Sequence, residues 1–295
     1  MNNVFSDKKA ILIFTLPALL LFLGFVAIPL AMSSYYSFLK WDGMGDGIFI
    51  GFQNYLKLFI DNTDSFLSSV WHSAVNALMA IFIQLPVALF FALVLARGIK
   101  GEAFFRSVFF IPVTISGNAI AQLWLKIYNP QYGALNAFLN SVGLGSLATS
   151  WLGDARTALI AVFVPGVWQY IGYHMLIMYA AAKSIPDEIN EAAIIDGSKG
   201  FTTAFRITIP LILPTIRICI IFALIGSLKI FDAVFVLTGG GPARATEVTS
   251  TLMFDTIFRK YQYGYGSSMA MFIVIECLLL TILVRKLLKT EDISF

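Results

Sequence analysis

The sequence predicts an all-α membrane protein of six transmembrane helices, with a short helical loop between the fourth and the fifth. Three observations predict it. Of 295 residues, 58% are hydrophobic and only 13% charged, about half the charge that covers an ordinary soluble domain, and the mean hydropathy is +0.82. The apolar residues gather into windows, set off by charges, that are long enough for a hydrocarbon core of about 30 Å at 1.5 Å per helical residue. No internal repeat, low-complexity tract or soluble appendage interrupts them, so 1–295 reads as one transmembrane domain. A large soluble enzyme, a disordered chain and a fibrous repeat are excluded. With a net charge of +3 and no run of Lys and Arg, the chain also offers nothing that would track phosphates, and nucleic acid is excluded as a partner.

The first window follows Lys8 and Lys9 and stays uncharged from Ala10 to Leu39, which predicts a helix over 10–36. It is too long for a signal peptide and lacks a small-residue cleavage site, so it is expected to be retained. The second helix is expected over 70–96, between Asp64 and Arg97, and the third, as one span, over 107–125, between Arg106 and Lys126. Arg156 and Lys183 bracket the fourth at 157–182. The fifth, 211–237, contains Arg217, Lys229 and Asp232; it spans if Arg217 and Lys229 snorkel toward opposite interfaces. The sixth covers 267–288 and carries Glu276 as its one charged residue ahead of Arg285 and Lys286. With the N-terminus inside, the inner segments hold eleven Lys and Arg against eight outside, which by the positive-inside rule puts both termini in the cytoplasm. Cys219 and Cys277 lie inside apolar windows and read as small buried hydrophobes, not a disulfide framework.

The loop 184–210 is the most structured of the connections. Ser184 and Asp187 fit a capping box with Pro186 in the first turn. A helix then runs to about Asp196, where Gly197 supplies the stop, and a second begins near Phe201 and meets Pro210 and Pro214. On the first helix Ile189, Ala192, Ala193 and Asp196 share a face, with Glu188 and Glu191 beside it. A linker helix lying on anionic lipid would carry a basic face; this one is acidic, which points to a protein partner.

Glu191-Ala192-Ala193, Asp196-Gly197, Ile207 and Pro210 resemble, at the same spacings, the EAA loop of binding-protein-dependent ABC importer permeases; Ser198 and Ala204 depart from it where a small Ala and an aromatic are common. Phe105-Arg106-Ser107 through Pro112, then Trp124, Asn129-Pro130, Tyr132-Gly133 and Asn136, resemble the third span and following loop of the sugar-type, maltose-transporter-like subfamily, as do Phe231-Asp232 and Leu237 through Pro242. The resemblance covers nearly the whole chain. It implies a type I importer permease in a bacterial or archaeal cytoplasmic membrane, paired with a second homologous permease, two ATPase subunits and an extracellular sugar-binding protein. Glu191, Ala192, Ala193, Asp196 and Gly197 would then form the ATPase-coupling element, with Glu191 facing a basic residue of the ATPase. No cofactor is expected on this chain, ATP and Mg belonging to the partner ATPase; consistently, the sequence has no Gly-x-x-x-x-Gly-Lys-Ser/Thr phosphate cradle, no metal-ligand spacing and no nucleophile elbow.

For the solute pathway, Gly166, Gln169, Tyr170 and Tyr173 fall at i, i+3, i+4 and i+7 on the fourth helix, where an amide can bond hydroxyls and aromatic rings can stack on apolar sugar faces. The same stripe would also suit packing against a partner permease. Ser116, Asn118, Gln122 and Ser227 are further candidates. Glu276, in the sixth window, is either a pathway acceptor or a protonated group bonded to another helix. His72 and His174 read as structural hydrogen-bonders and Arg217 as an interfacial snorkeller. Two other solute classes stay open: a permease for polyamines or another small solute, and an ion-coupled secondary transporter using Glu276 and the histidines, although such folds carry repeats and broken-helix pairs that this sequence does not display. A membrane-embedded enzyme has no residue constellation behind it.

Overall fold

In lipid a segment must satisfy its own backbone polar groups, and helix is the way a single segment does so. The computed structural model describes residues 8–61, 65–198 and 200–288, and its long helices occupy the apolar windows. With the shorter helices between them, they are α1 (Ile11–Tyr36), α2 (Phe66–Ala96), α3 (Glu102–Thr114), α4 (Gly117–Ile127), α5 (Ala134–Ser141), α6 (Ala155–Lys183), α7 (Asp187–Ile195), α8 (Leu213–Leu228), α9 (Asp232–Leu237), α10 (Thr249–Phe258) and α11 (Tyr263–Leu287). One antiparallel pair, β1 (Leu39–Lys40) with β2 (Ile48–Phe49), sits between α1 and α2. The chain ends, expected in the cytoplasm, and Lys199 lie outside the described residues.

Prolines shape these helices by a repeated device. Pro29, Pro86 and Pro210 each follow a five-residue π-helical segment, Leu23–Ala27, Ala80–Gln84 and Ala204–Thr208, that ends two residues earlier. A proline ring clashes with the carbonyl four residues back and lacks an N–H. Widening the turn to i→i+5 bonding moves that carbonyl aside without breaking the helix. The helix after Phe201, expected to be interrupted by Pro210 and Pro214, widens ahead of Pro210 and is interrupted at Ile212, between the two prolines.

The described residues separate into two compact units, although no linker or composition shift marks a boundary. The first joins Met1–Asp64 to Met253–Val274. In it the Asn54 amide donates to the Ser37 and Leu39 carbonyls at 2.9 Å each, and the Trp41 ring rests between Tyr36 and Tyr263, 4.6 and 5.7 Å away. Gly264 lets the start of α11 press against β1; a Cβ there would stand 1.9 Å from the Leu39 carbonyl oxygen. No residue of α1 is buried by the chain, which leaves its whole apolar surface for lipid or another subunit.

The second unit joins Ser65–Leu252 to Ile275–Phe295. Its centre is α6, against which α2 packs through Ala88 and Ala92, both fully buried beside Met175 and Met178. Between helices in lipid the hydrophobic effect contributes little, so small residues that permit close packing decide the contact. Cys219, a free thiol, is buried in the same cluster. On another side of α6, Gly172 admits the backbone of α3, for a Cβ on it would lie 1.9 Å from the Phe109 carbonyl oxygen.

The third window departs from expectation. It is two helices, α3 and α4, meeting at 97°. Pro112 removes one donor near the end of α3, Ile115 turns extended (ψ 139°), and Ser116 caps α4 by accepting from the Ala119 N–H at 3.3 Å. The break frees carbonyls at membrane depth, where an unsatisfied group costs several kcal/mol. Gln169 of α6, 5% exposed, answers it by donating from Nε2 to the Ile115 oxygen at 2.9 Å and the Pro112 oxygen at 3.3 Å.

At the other end of α6, the expected capping box does not form. The Ser184 hydroxyl donates backward to the Ala181 carbonyl at 2.8 Å, ending α6 and leaving the start of α7 to Pro186, whose carbonyl accepts from Ile189. Helix α7 stops as expected at Gly197 (φ +79°), and the Ser198 N–H reaches the Ala193 carbonyl at 2.9 Å to close a Schellman turn.

Two glycines of α6 should therefore behave oppositely. Gly172→Ala is expected to cost about 1–3 kcal/mol or more, because the obstacle is backbone and cannot swing away. Gly166→Ala, with nothing within 4 Å of its Cβ position, should be neutral. Thermal unfolding of the two purified variants in detergent reads the difference; equal midpoints would contradict the α3–α6 contact.

Candidate functional site

A cavity of about 490 Å³ opens where α2, α4, α6, α8 and α9 converge within the second unit. Gly166, Gln169, Tyr170 and Tyr173 all line it, as does Ser227 of α8. Open space lies where a Cβ would stand on Gly166 and on Gly226 opposite. The roles are not those expected of every residue. The Gln169 amide nitrogen is committed to the broken helix, while Tyr170, exposed, and Tyr173, half-buried, also line the cavity from α6.

The remaining candidates do not join the cavity lining. Ser116 is the cap of α4, while Asn118 and Gln122, one turn apart, are exposed on α4 away from its buried Ile120 and Ala121. Glu276, half-buried on α11, does not line the cavity either, and among the described residues no hydrogen bond or ion pair holds it.

Several lining residues were not singled out in the sequence. Asn76 of α2 donates to the Ser227 carbonyl at 3.1 Å. Gln84, two turns further along α2, brings its amide nitrogen to 3.0 Å from Nδ1 of the buried His174, which also lies 3.1 Å from the Tyr170 carbonyl. His174 is thus tied into helix packing, as expected, yet it also borders the cavity. Polar amides at i and i+8 in an otherwise apolar helix are the signal that would have found Asn76 and Gln84. Lys229 and Asp232 bring one charge of each sign to the rim. Asp232 is placed by Gly117, the first residue of α4. A Cβ on Gly117 would lie 2.9 Å from the Asp232 carboxylate, which therefore faces the positive end of that helix dipole. Beside the cavity helices, Asp154 caps α6 by accepting from the Arg156 N–H at 2.9 Å; that bond, and the Arg156 guanidinium next to it, hold its carboxyl below the usual carboxylate range.

The loop helix α7 presents a second surface. Ala193, expected on the shared outer face, is buried, 4% exposed. The exposed side carries Glu188, Glu191 and Ala192 with Ile195, which is 85% exposed. Phe201 and Phe205 are also exposed just beyond. Arg97, at the end of α2, holds the loop by donating to the Gly200 carbonyl at 2.8 Å. Arg217 reaches the Leu288 carbonyl at 3.2 Å, and His72 Nδ1 pairs with the Glu247 carbonyl at 2.7 Å. Among the described residues, no three His, Cys, Asp or Glu side chains gather as metal ligands.

Residues 47–290 match the family described as binding-protein-dependent transport system inner membrane component. The probable ABC transporter permease protein YurN of Bacillus subtilis (strain 168) is 37% identical over 281 residues, 94% of this chain and 95% of that protein. The multiple sugar-binding transport system permease protein MsmF of Streptococcus mutans serotype c is 33% identical over 281 residues, 95% of each. Among solved structures, a chain of the bacterial alginate ABC transporter, crystallised with an alginate pentasaccharide-bound periplasmic protein, superposes with a TM-score of 0.80 over 98% of this chain and 99% of that one. At 21% identity that likeness speaks for the fold. With most of its length inside the family's match and its relatives aligned nearly end to end, the chain belongs to the binding-protein-dependent transport system inner membrane components, a transport subunit of the membrane and not an enzyme.

Proposed function

We propose that the chain is the membrane-spanning subunit of an ATP-driven importer that moves a carbohydrate delivered by an extracellular binding protein. The observation that carries the reading is the cavity on α6, where Tyr170, Tyr173 and the open space at Gly166 offer hydroxyls, aromatic faces and room at membrane depth. Those are the groups that recognise a polyhydroxylated ring. The names of MsmF and of the alginate transporter support a sugar over other small solutes. Tyr170 is 47% exposed within the chain, and a second homologous permease is the partner proposed to cover this side of the cavity and complete a heterodimer.

Energy would come from outside the chain. Of two ATPase subunits, holding ATP and Mg, one is proposed to grip α7 through Glu188, Glu191, Ala192 and Ile195, with Asp196 and Gly197 forming the corner. The surface suits a cleft: Ala192 leaves room for close approach, the glutamates offer charge to a basic partner, and Ile195 is an apolar side chain that water does not favour. Closure of the ATPases would carry α7, and α6 behind it, between inward- and outward-opening arrangements. Loop charge places α7 and both termini in the cytoplasm on this reading.

Two outcomes are expected. Glu191→Lys, which sets like charges across the interface at a cost of several kcal/mol, and Ile195→Asp, which buries a carboxylate where an apolar side chain stood, should each leave the chain inserted but reduce co-purification of the ATPase by about tenfold or more, 1.4 kcal/mol being a factor of ten; undiminished recovery of ATPase would remove α7 from that interface. Gly166→Trp, filling the cavity, and Tyr170→Ala, stripping its wall, should each lower ATP-dependent sugar uptake into proteoliposomes about tenfold with the complex intact. Unchanged uptake across a panel of neutral and acidic oligosaccharides would take the cavity out of the pathway.

A further inference from the structure

Arg106 belongs to a stretch that resembles the sugar-type subfamily, yet neither the cavity nor the α7 surface uses it. It stands one turn into α3, four residues after Glu102, the helix's first residue; Gly101, at φ +83°, starts the helix there and puts the Glu102 carboxylate at the positive end of the dipole. Tyr179 and Lys183 hold the matching places, four apart, in the last turn of α6. The two i,i+4 pairs interlock. The Tyr179 hydroxyl donates to Glu102 Oε1. Arg106 Nη1 donates to the same hydroxyl at 3.4 Å, and its guanidinium carbon lies 5.0 Å above the Tyr179 ring. Arg106 Nε is 3.8 Å from Glu102 Oε1, and Lys183 Nζ is 4.0 Å from Oε2. Exposed ion pairs of this length contribute little on their own. The Tyr179–Glu102 bond differs, because its acceptor is a carboxylate only 20% exposed and its donor residue is buried.

The clasp is the lowest of three attachments between the same helices. One turn and more above it, Gly172 admits the Phe109 backbone. Above that, Gln169 holds the carbonyls of Pro112 and Ile115. Helix α3 is thus fixed to α6 at its start, middle and end. Lys183, a clasp member, is the last residue of α6, and only 184–186 separate it from α7. A coupling element has to move as a body with two discrete positions; without the clasp, a displacement of α7 would be spent bending the last turn of α6.

We infer that Glu102, Tyr179 and Arg106 are positioning residues for transport: their clasp makes α3 and α6 one lever, so that displacement of α7 reaches the cavity wall at Tyr170 and Tyr173. The inference rests on the proposed role of α7, and its test separates the two. The full importer, with both permeases, the ATPases and the binding protein, is reconstituted in proteoliposomes, and sugar taken up per ATP hydrolysed is measured. Tyr179→Phe removes one oxygen from the clasp, and Glu102→Gln keeps the shape but loses the charge. Each should retain the ATPase and its hydrolysis while uptake per ATP falls about tenfold, and Glu102→Asp should recover part of the loss. The double variant should be no worse than the poorer single one, because the two residues act through one bond. An unchanged ratio in both single variants overturns the inference. So does a fall in uptake, hydrolysis and complex yield in the same proportion, which marks a merely structural role. Failure of the parent reading looks different: wild-type complex would then hydrolyse ATP without transport, or Glu191→Lys would keep its ATPase.

Discussion

The bond from Gln169 to the carbonyls at the broken helix is the constraint on which the rest of the second unit depends. A bilayer tolerates a helix break only where the freed backbone groups are met by protein, and here one side-chain amide reaches two acceptors, Ile115 and Pro112, the second of which also takes the Ile115 N–H. Once the break is allowed, α4 can leave α3 at 97° and present its N-terminus, through Gly117, to the Asp232 carboxylate. The cavity is bounded by that arrangement: α6 forms one wall, the start of α4 and the start of α9 another. Net gains from interhelical hydrogen bonds in membranes average about 0.6 kcal/mol, whereas an unsatisfied carbonyl costs several. Gln169 therefore matters less for what its bonds add than for the penalty they avoid.

The same accounting explains why several amides beside the cavity are bonded to protein before any solute arrives. Asn76 is spent on the Ser227 carbonyl and Gln84 on His174. Lining the cavity beside them are side chains that tolerate being wet, two tyrosines, a lysine and a carboxylate, and the space beside two glycines. Prolines play a parallel part in the helix axes. The π segment Ala80–Gln84 ahead of Pro86 ends at Gln84 itself, so the widening that relieves a proline clash also sets the bearing of a residue that lines the cavity.

Most of the architecture was legible from the spacing of charges between apolar windows, because hydrocarbon thickness fixes helix length with little help from tertiary contacts. Most of the exceptions are places where a distant contact decides. The bend at Pro112–Ser116 sits in an apolar window that looks continuous, and only the Gln169 amide, more than fifty residues away, makes it affordable. Ser184 has the spacing of a cap for α7, but its hydroxyl serves the helix behind it. Ala193 and Ala192 are chemically alike, and which one faces outward depends on how α7 leans on its own unit. The division into two units has no local mark, since Gly264 meets β1 across more than two hundred residues. At the site, the α6 stripe lines the cavity, and the bond that also ties the Gln169 amide to the broken helix has no local mark in the sequence.

That last case follows from helix geometry. At about 100° per residue, Gly166, Tyr170 and Tyr173 cluster on one side of α6. Gln169, Gly172 and Tyr179 lie on a second side, which meets α3, and Met175, Met178 and Ala182 on a third, toward the buried contacts with α2 and the loop after Lys183. His174 falls between the first side and the third, which is why one imidazole can touch Gln84 and border the cavity together. Each side has the chemistry its neighbour requires: glycine and hydrogen-bonding groups against backbone, flexible methionines against alanines, and tyrosines against open space. A helix committed on all its sides shows no clean apolar stripe. In the centre of a membrane bundle, the lack of one is the mark of the element that carries the most contacts, so α6 is where a push from the loop would be felt by cavity and neighbours at once.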